Sequence, residues 1–161
     1  MERLWAPWRL EYITADKTEG CVFCVFPARQ NDRENRILHR GEHAFVIMNA
    51  FPYSNGHLLI APYRHTADLA ELTDEENLDM MRLVRKSIRV LREAFRPDGI
   101  NVGVNQGTAA GAGIADHVHM HIVPRWNGDT NFMPVFADVK VIPEALEVTY
   151  DKLKPIFDGL Q

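Results

Sequence analysis

The stretch His117-Val118-His119-Met120-His121-Ile122-Val123 decides the reading of this chain. A strand sends alternate side chains to opposite faces. Read as a strand, the run turns Val118, Met120 and Ile122 toward a core and lines the other face with His117, His119 and His121. Three imidazoles on one face are a poor choice for packing, because each carries two ring nitrogens that need partners. Their strict alternation points to chemistry instead. One metal ion cannot take all three, because positions i and i+4 of an extended strand lie roughly 13 Å apart at about 3.3 Å per residue. Zinc–nitrogen bonds of about 2 Å cannot span that gap. Neighbours in the row, roughly 7 Å apart, can share an ion or a substrate. The row therefore divides its labour, with one histidine open to a metal and the others to catalysis.

Imidazole changes charge near neutral pH and can act as a nucleophile. Attack on phosphorus gives a phosphoramidate, from which protonated imidazole leaves readily. That chemistry needs donors for phosphate. The preceding run Asn105-Gln106-Gly107-Thr108-Ala109-Ala110-Gly111-Ala112-Gly113 is rich in small residues, so its backbone N–H groups can approach an anion closely.

Working outward, residues 36–39 and 43–49 read as two strands joined by Arg40-Gly41-Glu42, a hairpin signal. Phe51-Pro52-Tyr53-Ser54-Asn55-Gly56 is a turn cluster, and His57 to Ala61 is a further strand stopped by Pro62. Thr73 and Glu76 form a capping box that opens a helix over 74–96. Its expected core stripe is Leu78, Met81, Val84, Ile88, Leu91 and Phe95. Ile100 to Asn105 reads as a strand, 117–123 as another ended by Pro124, and a shorter helix is expected near 143–157. Strands in hairpin-like succession with one main helix predict an antiparallel α+β domain. The whole of 1–161 reads as one domain, with an aromatic N-terminal arm over 1–20 and a C-terminal helical extension over 135–161.

Cys21 and Cys24 are the only cysteines, spaced C-x-x-C. In a chain of this kind the pair is a redox motif, half of a metal site, or incidental. Gly20 before it, and Pro27 and a polar run after it, suggest a knuckle and not a strand-to-helix junction. A metal reading requires two further ligands to complete a tetrahedron.

Composition sets the outer bounds. Hydrophobic residues at 46% and charged residues at 25% fit a globular chain and exclude collagen-like, disordered and disulfide-stapled classes. A net charge of −4 removes the global attraction that non-specific nucleic-acid binding needs, while a small anionic ligand needs only local donors. No apolar run approaches the roughly 18 residues of a spanning helix, and Met1-Glu2-Arg3-Leu4-Trp5 does not read as a signal peptide. The expected setting is cytoplasmic, with no nucleic-acid polymer and no membrane as partner.

The sequence resembles the histidine triad (HIT) family of nucleotide hydrolases and transferases, whose signature alternates His with apolar residues. Residues 117–123 fit it throughout, and Pro124-Arg125 continues the match. Asn49, Gly56-His57 and Pro62 to His65 resemble the family's upstream half. Leu4-Trp5-Ala6-Pro7-Trp8-Arg9 and Gly128-Asp129-Thr130-Asn131-Phe132 are most similar to its bacterial diadenosine polyphosphate phosphorylases.

The resemblance implies an antiparallel sheet of about five strands with one long and one shorter helix. It makes His119 the nucleophile on the α-phosphorus, with His121, His57 and His117 completing the catalytic cluster. It places Asn49 on the ribose and Asn105, Gly111, Ala112 and Gly113 on the phosphates. It assigns Cys21, Cys24, His65 and His117 to a structural zinc. A divalent ion riding on the polyphosphate, orthophosphate as a co-substrate and a homodimer are further implications. Hydrolytic members commonly carry Gln where this chain has Gly113, and some phosphorylases carry Ser where it has Ala112, so water and orthophosphate both stay open as acceptor. Other readings are hydrolysis of nucleoside phosphoramidates or other conjugates, a catalytic metal, and a nucleotide-binding module without turnover.

Overall fold

A computed structural model describes residues 20–130 and 142–160. Most of the expected N-terminal arm, and residues 131–141 with the start of the C-terminal extension, lie outside the described residues. Strands β1 (Ile37–Arg40), β2 (Ala44–Met48), β3 (Leu58–Pro62), β4 (Gly99–Val104) and β5 (Met120–Arg125) pair into one sheet. Its order is β1-β2-β3-β5-β4, and every neighbouring pair is antiparallel. β2 and β3 are buried along their whole length, as their near-continuous apolar sequences require.

Alternation splits the sheet into two faces. Leu38, Val46, Met48, Leu58, Ile60 and Ile122 join one apolar cluster. Ile37, Phe45, Ile47, Leu59 and Ala61, the residues between, join a second with Phe23. The first face is covered by α2 (Asp74–Phe95) and α3 (Leu146–Gly159), which also pack on each other. The second receives Phe23 from the short helix α1 (Val22–Ala28).

α2 begins where the capping box places it. The Glu76 N–H donates to Thr73 Oγ1 at 3.2 Å, and the Thr73 N–H donates to Glu76 Oε2 at 2.8 Å. Arg96 ends the helix in the left-handed region at φ 47°, just before Pro97. Asp79 fastens α2 to the β1–β2 hairpin by accepting from the His43 and Ala44 N–H groups at 2.7 and 3.1 Å. The Tyr150 hydroxyl fastens α3 to β1 by donating to the Ile37 carbonyl at 3.0 Å.

Three expectations are corrected. The buried stripe of α2 runs through Met80, Leu83, Val84, Ser87, Val90 and Leu91, whereas Leu78 and Met81 are 52% and 48% exposed. The helix is apolar on more than one stripe, and periodicity alone does not say which stripe meets the sheet. Next, the C-x-x-C does open a helix: Cys21 is the residue before α1, and Cys24 lies within it. Finally, β5 begins at Met120, not at His117, and runs through Pro124 to Arg125. The Val118 N–H turns aside to the Thr66 carbonyl at 2.7 Å, which takes 117–119 out of the ladder. Pro124 is tolerated because pairing with β3 has ended at Ile122, leaving a neighbour on one side only.

Candidate active site and metal cluster

The bend at 117–119 and the start of β5 bring the three predicted histidines into different company. His117 is fully buried, and its Nδ1 lies 3.3 Å from Cys21 Sγ, 3.6 Å from Cys24 Sγ and 3.2 Å from His65 Nδ1. Cys24 Sγ lies 3.4 Å from His65 Nδ1. One ligand atom from each of these four residues falls within 4.8 Å of every other. A tetrahedral zinc with bonds of about 2.3 Å to sulfur and 2.0–2.1 Å to nitrogen sets its S···N edges near 3.6 Å and its N···N edge near 3.3 Å. The three S···N distances of 3.3–3.6 Å and the N···N distance of 3.2 Å are close to those edges. The outer contact also fits: His117 Nε2 sits 2.9 Å from the Pro62 carbonyl, so it carries the proton and leaves the Nδ1 lone pair facing the cluster.

His119 and His121 form a second group with His57. Their tautomers follow from partners whose roles are not in doubt. His119 Nδ1 lies 2.8 Å from the carbonyl of His117, a pure acceptor, so Nδ1 holds the proton and Nε2 is left with a lone pair. His57 Nδ1 accepts from the Tyr53 N–H at 3.0 Å, a pure donor, with the Asn49 amide nitrogen 3.3 Å away. The neutral His57 ring therefore carries its proton on Nε2 and donates it to His121 Nδ1 at 3.0 Å. His121 must then carry its own proton on Nε2. The two rings thus differ in kind: His119 offers a base, and His121 offers a donor. Their centroids lie 4.9 Å apart.

Burial favours the neutral form of His119 and His121. It lowers His121 to about 4, with the neighbouring His119 adding to the effect. It also lowers His119, although the bond to the His117 carbonyl acts the other way. Phe23, between the two cysteines in sequence, packs on both His117 and His119 with centroids 5.3 and 4.8 Å away. Tyr53 stacks on His121 at 5.7 Å with the planes 11° apart.

A groove of about 480 Å³ opens beside this group, lined by Tyr53, Asn105, His121 and Arg125 among others. His119 is 4% exposed and is not among the residues lining the groove. Of the predicted phosphate-binding residues, Asn105 lines it, while Gly111, Ala112 and Gly113 lie in the loop that follows and do not. Asn49 uses its amide group internally: besides the contact with His57, Oδ1 accepts from the Phe51 N–H at 2.9 Å. Sequence reading passed over Phe23 and the Tyr53 backbone as site elements. Phe23 inside the C-x-x-C carried a signal; the Tyr53 N–H carried none, because every residue but proline has one.

The comparisons with known proteins agree with this geometry. The sequence model of the HIT domain matches residues 30–128. An AP-4-A phosphorylase of Mycobacterium tuberculosis is 38% identical over 158 residues, which cover 92% of this chain and 80% of that protein. A zinc-bound histidine triad family protein from Mycobacterium smegmatis superposes with a TM-score of 0.69 at 27% identity, covering 89% of this chain and 96% of the other. A diadenosine triphosphate hydrolase of Plasmodium falciparum superposes with a TM-score of 0.61 at 20% identity over 80% and 77% of the two chains, a likeness of fold.

The depressed basicity of His121 has a consequence for stability. Its ring takes a proton at a pH near 6.5 when unfolded but only near 4 when folded. The unfolded chain binds more protons between those values, so stability falls as pH drops from 6.5 toward 4. Urea midpoints measured at pH values across that window should fall for the native chain and fall less steeply for His121→Gln.

Proposed function

The chain belongs to the HIT domain family, and on that footing we propose that it is a nucleotidyl hydrolase or transferase that cleaves dinucleoside polyphosphates through a covalent nucleotidyl–His119 intermediate. The observation that carries the proposal is the opposite tautomers of His119 and His121, set by the His117 carbonyl and by the Tyr53–His57 relay. His119 Nε2 attacks the α-phosphorus, and the bond from phosphorus to the bridging oxygen breaks. The His121 Nε2–H donates to that oxygen as charge builds on it. The ring of nucleotidyl–His119 is cationic while Nδ1 keeps its proton, and the His117 carbonyl that accepts this proton stabilises the cation. In the second displacement an acceptor takes the nucleotidyl group, and His119 returns to its starting form.

With diadenosine tetraphosphate the first step releases ATP. Orthophosphate as acceptor then gives ADP, and water gives AMP. The AP-4-A phosphorylase likeness favours orthophosphate. Product analysis with and without orthophosphate should give ADP plus ATP only when it is added. His119→Ala should lower turnover by at least about 10³-fold, and quenched native enzyme should carry nucleotide mass on His119. Turnover unchanged in His119→Ala would overturn the proposal.

We also assign a structural zinc to Cys21, Cys24, His65 and His117, whose four ligand atoms lie within 4.8 Å of one another and would complete a four-coordinate shell. Bound there, zinc supplies a clamp between the α1 region and the segment that bears His119. Elemental analysis should find one zinc per chain. Chelation, or Cys24→Ser, should release it and lower the melting temperature. A chain that melts alike with and without zinc would refute the assignment.

Leu78 and Met81 on α2 and Val102 on the edge strand β4 are exposed at 52%, 48% and 42%. We infer that a second copy of the chain covers these apolar side chains, as in the homodimers the family resemblance implies. Sedimentation velocity should show a dimer that Met81→Glu weakens, and a native monomer would exclude it.

A further inference from the structure

β4 and β5 form a ladder in which Gly103 pairs with His121, Asn101 with Val123 and Gly99 with Arg125. By alternation His121, Val123 and Arg125 stand on one face of β5. The two glycines keep the floor beside them low. A side-chain carbon added at Gly103 would meet nothing within 4 Å, and one at Gly99 would meet only Arg125 Cβ at 4.0 Å. The groove beside His121 therefore continues along the ribbon to Arg125, and both residues line it. Their backbones are four residues apart, roughly 13 Å at about 3.3 Å per residue. That span exceeds one phosphoryl group and suits a short polyphosphate chain.

Arg125 is built into the far end of this trough. Its Nε and Nη2 donate to the Asp129 carboxylate at 2.6 and 2.9 Å, and its Nη1 donates to Asn101 Oδ1 at 3.1 Å. A guanidinium has five N–H donors in a fixed fork. Three are taken by these bonds, which hold the group in place, and two remain for a ligand. Among the described residues lining the trough, Arg125 alone bears a formal charge at neutral pH. His121, at the other end, is kept neutral by burial.

We propose that Arg125 is a specificity-determining residue that binds a phosphate distal to the scissile bond, so that the β4–β5 trough holds the polyphosphate leaving group and selects for its length. The inference rests on the function proposed above and goes beyond it by naming the residue that distinguishes a polyphosphate leaving group from a short one. The structural alternative is that Arg125 only pins the turn at 126–129 through Asp129.

The experiment compares diadenosine tetraphosphate with adenosine 5′-phosphoramidate, whose leaving group is ammonia and cannot reach Arg125. Loss of charge-assisted bonds in Arg125→Gln should lower kcat/KM for the tetraphosphate about 10- to 100-fold, mainly through KM. The phosphoramidate should lose much less, and Arg125→Lys should recover part of the loss. An equal fall for both substrates, whether from a disturbed turn or from a nucleoside lying in the trough, overturns the proposal, as does no fall for either. Calorimetric titration with inorganic tripolyphosphate separates this inference from the one beneath it. Weaker binding to Arg125→Gln than to the native chain supports the Arg125 site even if neither nucleotide is turned over, and turnover failure alone counts against the enzymatic reading. Equal tripolyphosphate binding by the two proteins overturns the Arg125 site.

Discussion

The segment from His117 to Ile122 packs one face on the core and turns the other to a row of imidazoles, so its two faces demand opposite chemistry. Val118 and Ile122 are buried in the cluster beneath α2 and α3, and Met120 packs against it. The intervening imidazoles must then be satisfied on the other face, where burial leaves little water to do so. Each is satisfied by a group from elsewhere in the chain or by the bent backbone itself. His117 meets the Pro62 carbonyl and the two cysteines, His119 meets the carbonyl two residues before it, and His121 meets His57. Those partners set which nitrogen of each ring carries a proton, and with it what each ring can do.

Electrostatics at the site follows from the same burial. A row of charged imidazolium rings would repel one another and would be costly to desolvate. Neutral rings with fixed tautomers instead supply one lone pair and one donor in adjacent positions. An anionic ligand then relies on oriented dipoles near the reacting atom and on the single guanidinium at the far end of the trough. The weakly acidic net charge of the chain is compatible with this arrangement, because the attraction is local.

Legibility in the sequence tracked how local the cause was. The capping box of α2 was readable because Thr73 and Glu76 act within one turn. The β1–β2 hairpin and β3 were readable from their apolar runs and their turn residues. The core stripe of α2 was only half readable, since Leu78 and Met81 are as apolar as Met80 and Leu83 and nothing within the helix ranks them. The start of β5 was misplaced because it depends on the Val118 N–H finding Thr66, fifty-two residues earlier in the chain. The gathering of Cys21, Cys24, His65 and His117 was accessible through family resemblance. Spacing alone left the cysteine pair with several readings.

Alternation of histidine with apolar residues determined, without any coordinates, that one side of this segment would be packed and the other would carry imidazoles in need of partners. It could not say which imidazole would serve which purpose, since the three are identical in covalent structure. That was decided by tertiary contacts. A carbonyl can only accept a proton and a backbone amide can only donate one. Placing the His117 carbonyl against His119 and the Tyr53 amide against His57 therefore forces the neighbouring rings into different tautomers.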